Sequence, residues 1–183
     1  MKKKLYVISG SSGVGKGTVI KGFLEKNPEF ILSVSCTTRK PREGEVDGKH
    51  YFFLTKDEFQ KCIDENKFLE HAEFAGNCYG TKKKYIEECL NDGKNIILEI
   101  DTQGALQVKK RMPEAILIFI CPPSFEELEK RLRGRHTEDE ATIQKRLGQA
   151  KAELERAEHF DYKIVNDSIE NAIHSIEEVV KNA

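Results

Sequence analysis

The sequence predicts an α/β fold built on a central parallel sheet of five strands. Short apolar runs near residues 4, 31, 95, 115 and 162 are mostly separated by segments whose apolar residues recur at helical spacing. The runs are continuously apolar rather than alternating, which is typical of parallel strands buried on both faces. Ligands of such sheets bind at the carboxyl ends of the strands, so we expect the functional residues to follow the strands in sequence.

The first strand, residues 5–8, leads into a glycine-rich segment, and apolar residues at 19, 20, 23 and 24 then indicate a helix. A strand, a G-x4-G-K turn and a helix form the context of a phosphate-binding loop, in which backbone N–H groups surround the anion. Lys16 adds a mobile positive charge for the outer phosphates. We therefore predict that a nucleoside triphosphate binds here, to the residues Gly10, Ser11, Ser12, Gly13, Val14, Gly15, Lys16, Gly17 and Thr18.

The residue after Lys16 departs from the usual pattern, in which a Ser or Thr hydroxyl binds magnesium. Gly17 has no hydroxyl, and Thr18 comes one position later. A magnesium ion would therefore be held through water or by acidic groups elsewhere. The alternative, a glycine turn that only joins a strand to a helix, is less compatible with the complete motif in this context.

The middle of the chain predicts a small mixed α+β insert at residues 35–81. A strand at 30–35 precedes a polar loop, another strand covers 51–54, and a Thr55–Glu58 capping box starts a helix that runs to about residue 66. Residues 68–74 alternate as a strand with Glu70 among the polar positions. The prediction is one domain, 1–183, with a core of 1–34, 82–124 and 158–183, the insert, and a helical lid at 125–157.

A buried-type strand at 95–101 ends in two acids, Glu99 and Asp101, which lie on one face if the strand includes both. Such acids could bind magnesium through water or contact a substrate. The alternative is that Asp101 caps the next helix, 103–111. A strand at 115–121, helices from 125 and over 137–157, a strand at 162–165 and a C-terminal helix complete the prediction.

Two groups of arginines could bind phosphate. Arg39 and Arg42 lie on the polar loop 37–48, and with Tyr51 and Tyr79 they can chelate a phosphate through forked and hydroxyl donors. Arg131 and Arg135 are four apart, and with Arg146 they could close over a transferring phosphoryl group. The alternative is that they are surface residues of charged helices.

Composition narrows the class of protein further. Charged residues make up 33% of the chain, yet the net charge is only −1, which implies no general attraction to nucleic acid or membrane. Five cysteines without a C-x-x-C pair suggest neither a zinc site nor disulfides. The basic start resembles a signal peptide, but its apolar run is too short. We expect a cytoplasmic protein.

Several of these segments together resemble the guanylate kinase family, a branch of the nucleoside monophosphate kinases among the P-loop proteins. The resemblance extends from about residue 4 to near the C-terminus, and its most specific part is residues 35–48. It implies a P-loop kinase fold and the reaction of ATP with GMP, and with dGMP, to give ADP and GDP, with Mg²⁺, in purine metabolism. The segments that carry it are 10–18, 35–48, 51–53, Glu70, 79–81 and 99–104.

The resemblance also implies roles for individual residues. Ser35, Arg39, Arg42, Tyr51 and Tyr79 would hold the GMP phosphate, and Arg131, Arg135 and Arg146 would form the closing lid. Glu70, Ser35 and Thr81, with Asp101 assisting, would read the guanine. The chemistry agrees, because a carboxylate accepts from N1–H and N2–H₂ of guanine. Adenine would leave the carboxylate facing an acceptor nitrogen, and an unpaired buried polar group of this kind costs about 1–3 kcal/mol.

The predicted mechanism is in-line transfer of the γ-phosphoryl group, with Lys16, Arg39, Arg131, Arg135 and Arg146 as the catalytic charges. Two alternatives stay open. One is an inactive guanylate-kinase-like module that binds phosphopeptides, which the intact loop with Lys16 disfavours. The other is a kinase for another nucleoside monophosphate. The sequence gives no oligomeric state.

Overall fold

A computed structural model describes residues 3–74, 76–134 and 139–183. A single 3₁₀ turn, Ala157–His159, occurs among these residues in addition to the helices and strands. In chain order the elements are β1 (Leu5–Gly10), α1 (Lys16–Lys26), β2 (Phe30–Leu32), β3 (Cys36–Thr37), β4 (Phe52–Phe53), α2 (Lys56–Asp64), β5 (Phe68–Phe74), β6 (Asn77–Lys82), α3 (Lys83–Asn91), β7 (Asn95–Glu99), α4 (Thr102–Arg111), β8 (Ile116–Cys121), α5 (Phe125–Arg133), α6 (Glu140–Arg156), β9 (Tyr162–Val165) and α7 (Ile169–Asn182).

The main sheet confirms the predicted five parallel strands, in the order β2-β7-β1-β8-β9. Val7 at the centre of β1 pairs with Leu98 on one side and Leu117 on the other. Alternate residues of β1 face two apolar layers: Val7 packs with Leu98 and Phe119, and Ile8 packs with residues of α1 and α7. The sheet is therefore covered on both faces, as continuous apolar strands require.

The predicted strand 30–35 is wrong in one respect, because the chain divides it between two sheets. Phe30–Leu32 pairs with β7, and the Ser33 amide continues that pairing by donating to Ile97 O at 2.8 Å. Ser35 already belongs to the second sheet, since its carbonyl accepts from Phe52 N at 2.9 Å. The sequence places Ser33 and Ser35 among the apolar residues, which alternation along a single strand explains equally well, so it does not show where the chain crosses from one sheet to the other.

The second sheet has four strands in the order β4-β3-β6-β5, with parallel and antiparallel pairs. The predicted capping box of α2 is confirmed: Glu58 N donates to Thr55 Oγ1 at 3.2 Å, and Thr55 N donates to Glu58 Oε2 at 2.7 Å. Phe59 of α2 packs on Phe68 of β5 with ring centroids 4.5 Å apart. The division into core, insert and lid as separate units stays a prediction.

The second sheet is also joined to α4 through backbone contacts of β5. The Gln107 side chain accepts from His71 N at 3.2 Å and donates to His71 O at 3.0 Å. The Arg111 guanidinium donates to Phe68 O at 2.6 Å and to Leu69 O at 3.1 Å. One end of β5 is thus anchored to the helix that follows β7.

Helices α5 and α6 share a small apolar cluster of Leu128, Leu132, Ile143, Leu147 and Ala150. Helix α5 ends at Arg133 with Gly134 as its C-cap, and α6 begins at Glu140 with Asp139 as its N-cap. The predicted helix start at residue 137 lies outside the described residues. The predicted lid arginine Arg135 lies outside the described residues. No helix in the described ranges is long and apolar enough to span a bilayer.

Candidate active site

The loop between β1 and α1 has the geometry of an anion-binding turn. Gly13 and Gly15 take left-handed backbone angles, with φ of 84° and 88°, which residues with a side chain rarely adopt. Gly15 is the N-cap of α1 and offers no side chain to cap it. The first N–H groups of α1 and the positive end of its dipole are therefore available to a ligand.

Two buried polar side chains from distant parts of the chain hold this loop. Glu153 of α6 accepts from Ser12 N at 3.0 Å through its Oε2 atom. Asn166, directly after β9, donates from Nδ2 to Val14 O at 2.7 Å. Both side chains are buried. The loop is thereby connected both to α6 and to the last strand of the main sheet.

Lys16 lies at the edge of the sheet where β1 and β7 end. Its Nζ atom is 3.7 Å from Glu99 Oε1 and 3.5 Å from Ile100 O. The parallel pairing of β1 with β7 brings the loop lysine and the predicted acid together. Glu99 is therefore positioned as the counter-charge of Lys16.

Asp101 does not share the strand with Glu99, so the prediction that both acids lie on one strand face is wrong. Strand β7 ends at Glu99, and Asp101 is the N-cap of α4, where its Oδ1 atom accepts from Gly104 N at 2.7 Å. The chain turns here because the cap satisfies an amide that the helix leaves unpaired. The capping role and a position at the site coexist, since Asp101 also lines the cavities described next.

Two adjoining cavities lie on this edge of the sheet. One, of about 440 Å³, is lined by the loop residues 10–18 together with Asp101, Gln149 and Glu153. The other, of about 270 Å³, lies between the two sheets, and its wall includes Ser35, Tyr51, Glu70, Tyr79, Asp101 and Gln149. Asp101 and Gln149 belong to both walls, so ligands in the two cavities would approach each other there.

Glu70 is the buried acid of the second cavity, with only 4% of its surface exposed. Burial raises its pKa from the ordinary value near 4.5 to about 7, against the hydrogen bond from Thr81, which lowers it. Thr81 Oγ1 donates to Glu70 Oε1 at 2.7 Å. A hydroxyl has a single hydrogen, so in this arrangement Thr81 orients the carboxylate and has no hydrogen left for a base.

The first turn of α4 leaves space for this carboxylate. A Cβ atom on Gly104 would lie 2.8 Å from Glu70 Oε2. Glycine at this position is what lets the acid approach the helix so closely.

The predicted phosphate arginine Arg39 forms a bidentate pair with Glu45, with Nη1 3.0 Å and Nη2 2.8 Å from the two carboxylate oxygens. The hydrogen bond from Arg39 holds the pKa of Glu45 down at about 2 and correspondingly raises that of Arg39. Arg42 adds its backbone N–H to Glu45 Oε2 at 2.7 Å. The guanidinium of Arg39 lies 5.4 Å from the Tyr51 ring, which brings the arginine next to the cavity wall.

Several predicted residues do not belong to the wall of the second cavity. Of those that the structure describes, Arg39, Arg42 and Thr81 do not line the cavity of Glu70. Arg131 bonds Glu127 Oε1 at 3.2 Å and Asn166 O at 3.4 Å. It lines a third cavity of about 570 Å³ on the other side of the loop, together with Gly13, Gly15, Thr18 and Asn166. Arg146 is half-buried on α6.

The sequence reasoning missed four residues of this site: Glu45, Gln149, Glu153 and Asn166. A signal for two of them was present, because Arg146, Gln149 and Glu153 recur three and four residues apart along one face of a helix. Asn166 follows the last strand at the carboxyl edge of the sheet, where ligand contacts are expected. Glu45 is within the segment already singled out, and only its pairing was not foreseen.

The fold and the site define a phosphotransferase of the P-loop class. A phosphate loop lies on the carboxyl edge of a parallel sheet, next to a second cavity that contains a buried carboxylate and lies between the two sheets.

Comparison with known proteins identifies the family within this class. Residues 2–183 match the family model described as guanylate kinase. A guanylate kinase from Synechocystis sp. is 52% identical over 180 residues, covering 98% of this chain and 94% of that protein. One from Clostridium acetobutylicum is 52% identical over 182 residues, covering 98% and 87%. The crystal structure of guanylate kinase from Anaplasma phagocytophilum superimposes with a TM-score of 0.76 at 34% identity, covering 98% of this chain and 85% of that one.

The chain belongs to the guanylate kinase family. It is thus an enzyme, an ATP:GMP phosphotransferase, and the two alternatives considered from the sequence are not favoured.

Proposed function

We propose that this chain transfers the γ-phosphoryl group of ATP to GMP, and also to dGMP, in the cytoplasm, with Mg²⁺ accompanying ATP. The observation that carries the assignment of sites is the pair of adjoining cavities with Asp101 and Gln149 in both walls. One cavity is built of loop amides and the other around a buried carboxylate. The first fits a triphosphate donor and the second a guanine-bearing acceptor.

On the donor side, the N–H groups of the loop other than those of Ser12 and Val14 bind the phosphates of ATP, together with the N–H groups of Lys16 and Gly17 at the start of α1. Lys16 leaves its 3.7 Å pairing with Glu99 to follow the β- and γ-phosphates. The third cavity, beside Gly13, Gly15 and Asn166, accommodates the remainder of the donor nucleotide. The loop contributes positioning and charge, as phosphoryl transfer requires.

On the acceptor side, Glu70 accepts from N1–H and N2–H₂ of guanine. Ser35 in the same wall has the hydroxyl that O6 requires, while Thr81 keeps the carboxylate oriented. Arg39 exchanges Glu45 for the phosphate of GMP, since both present two oxygens to the planar guanidinium. Arg42, Tyr51 and Tyr79 add donors to the same phosphate.

The residues of the donor cavity fit a magnesium ion held mostly by phosphates and water. A Cβ on Gly17 would have no heavy atom within 4 Å, so water has room where the usual hydroxyl would lie. Within the described residues no group of three or more acids, histidines or cysteines forms a cage. Mg²⁺ keeps several waters and needs only one or two carboxylates, for which Asp101 and Glu99 are available. When bound, it neutralises charge on the transferring group.

Closure completes the site in this proposal. Residues 125–157 act as a lid that brings Arg131, Arg135 and Arg146 toward the transferred group, and the insert 35–81 carries the GMP. Exclusion of water during closure limits hydrolysis of ATP.

The five cysteine thiols, which are all free, agree with a reducing compartment such as the cytoplasm.

A coupled assay for ADP with a panel of acceptors tests this proposal. GMP and dGMP should support turnover with ATP and magnesium, whereas AMP, CMP and UMP should be poor acceptors. Lys16→Ala should depress kcat strongly in a protein with an unchanged circular dichroism spectrum. Failure of GMP to support turnover, or turnover of AMP at a comparable kcat/KM, would contradict the proposal.

A further inference from the structure

Glu153 is a buried carboxylate to which the phosphoryl-transfer scheme assigns no role. It is only 8% exposed, on the part of α6 that faces the phosphate loop. Its Oε2 atom accepts from Ser12 N at 3.0 Å, across 141 residues of sequence. A buried carboxylate requires compensating partners, and here the partner is a backbone amide of the loop that binds the donor.

This contact holds one particular peptide unit of the loop. The carbonyl of Ser11 accepts from Val14 N at 3.1 Å, while the N–H of the same peptide unit, that of Ser12, is held by Glu153. The peptide unit is planar, so securing its carbonyl and its N–H sets its orientation. The next residue, Gly13, is the first of the loop to take a left-handed angle. The orientation of this unit therefore determines how the loop enters its phosphate-binding curve.

The surroundings of Glu153 separate two properties of its side chain. Burial raises its pKa, whereas the hydrogen bond from Ser12 and the charge of Lys16 lower it. The acceptor atom organises the loop, while the negative charge faces a cavity in which phosphates are expected. Glutamine would keep the acceptor without the charge, and alanine would lose both.

We propose that Glu153 is a positioning residue for the donor half of the site: its carboxylate holds the Ser12 amide and keeps the phosphate loop in the shape that receives ATP. The proposal rests on the phosphoryl transfer proposed above. It gives α6 a second function besides carrying Arg146, since the helix that supplies the lid also shapes the loop.

Steady-state kinetics of Glu153→Gln, Glu153→Ala and Glu153→Asp test the proposal, with Glu155→Ala as a matched control. Glu155 is on the same helix and exposed. Glu153→Ala should lower kcat/KM for ATP about tenfold while KM for GMP changes less than about twofold. Glu153→Gln should stay within about threefold of the wild type, because its amide oxygen accepts the same bond. Glu153→Asp, which withdraws the acceptor by one methylene, should be worse than Glu153→Gln.

Three results would overturn the proposal. Glu153→Ala could match the Glu155→Ala control, Glu153→Gln could be as defective as Glu153→Ala, or the loss could be equal for ATP and GMP. If Glu153→Ala does not fold, the comparison of kcat/KM for ATP between Glu153→Asp and Glu153→Gln tests the proposal in its place, and an equal or larger loss in Glu153→Gln would contradict it. Calorimetric binding of ATP without GMP keeps this test separate from the proposed reaction: an inactive wild type would refute the reaction, and the binding series would still report on Glu153.

Discussion

Replacing Glu70 by Gln should abolish most of the preference for GMP while leaving ATP binding intact. The side chains are nearly isosteric, and Oε1 can still accept from Thr81, which donates at 2.7 Å. The second carboxylate oxygen becomes an NH₂ group that opposes the N–H donors of guanine. A hydrogen bond to a charged group is worth about 1.5–3 kcal/mol, so kcat/KM for GMP should fall about 10- to 150-fold.

The pH dependence of GMP binding gives a second measure of the same carboxylate. Because the pKa of Glu70 in the free protein is about 7, the carboxylate that accepts from guanine is progressively protonated below that pH. Affinity for GMP should therefore fall about tenfold between pH 8 and pH 6. Glu70→Gln should lack this component and retain only the titration of the GMP phosphate itself, whose second pKa is about 6.

The stability of the free protein should depend on pH in the opposite sense to its affinity for GMP, falling as the pH rises. A carboxyl group whose pKa is raised on folding stabilises the protein below its unfolded pKa and loses that contribution as the pH rises through the folded value, here between about 4.5 and 7. At pH 8 the buried charge opposes folding, so Glu70→Gln should raise the thermal midpoint of the free protein. Calorimetric titration with GMP at pH 6, 7 and 8 and thermal unfolding at pH 8 are the measurements. Identical pH profiles for both proteins, or unchanged GMP kinetics in the variant, would refute the reasoning.

Three further substitutions test neighbouring parts of the site. Gly104→Ala puts a Cβ 2.8 Å from Glu70 Oε2, so it should lower kcat/KM for GMP about tenfold or more with ATP binding unchanged. Adding Glu70→Asp to the Gly104→Ala protein should recover part of the loss, because the shorter acid leaves room for the new methyl group. Gly17→Ser places a hydroxyl where nothing lies within 4 Å of the new Cβ, so the protein should fold normally and reach half-maximal rate at a lower magnesium concentration. Arg39→Lys loses the bidentate fork and should raise KM for GMP about tenfold without changing KM for ATP.

Each of these substitutions has a result that would count against it. Unchanged GMP kinetics in Gly104→Ala would mean that Glu70 can move away from α4 without loss of function. An unaltered magnesium requirement in Gly17→Ser would separate the metal from that position. Equal rises of both KM values in Arg39→Lys would point to a general disturbance of the loop rather than to lost phosphate recognition.

Much of the fold was accessible from the sequence because its signals are local. Continuous apolar runs specify the strands of a sheet buried on both faces, and the glycines of the loop specify its left-handed turns. The predictions that were wrong concern where an element ends. Asp101 satisfies both a strand pattern and a cap pattern, and only the packing of α4 decides between them.

The missed contacts join residues that are far apart in sequence. Glu153 meets Ser12 and Asn166 meets Val14 only after the sheet has brought their elements together. The spacing of Arg146, Gln149 and Glu153 marks one face of a helix, but it does not show that this face packs against the phosphate loop. The pairing of Arg39 with Glu45 was closer in sequence, but the turn that brings them together depends on Gly44, with φ of 82°.

The attachment of β5 to α4 limits how the second sheet can move. A rigid swing of that whole sheet would break the four hydrogen bonds by which Gln107 and Arg111 hold the backbone of β5. Glu70 lies in this tethered part, whereas Arg39 lies on the loop beyond the short strand β3. A closing movement that spares the four bonds would be a rotation about β5. Glu70, on β5, would lie close to the rotation axis, and Arg39 would lie farther from it. In such a movement Glu70 would be displaced less than Arg39, so the base-reading acid would keep its place while the phosphate arginine moves.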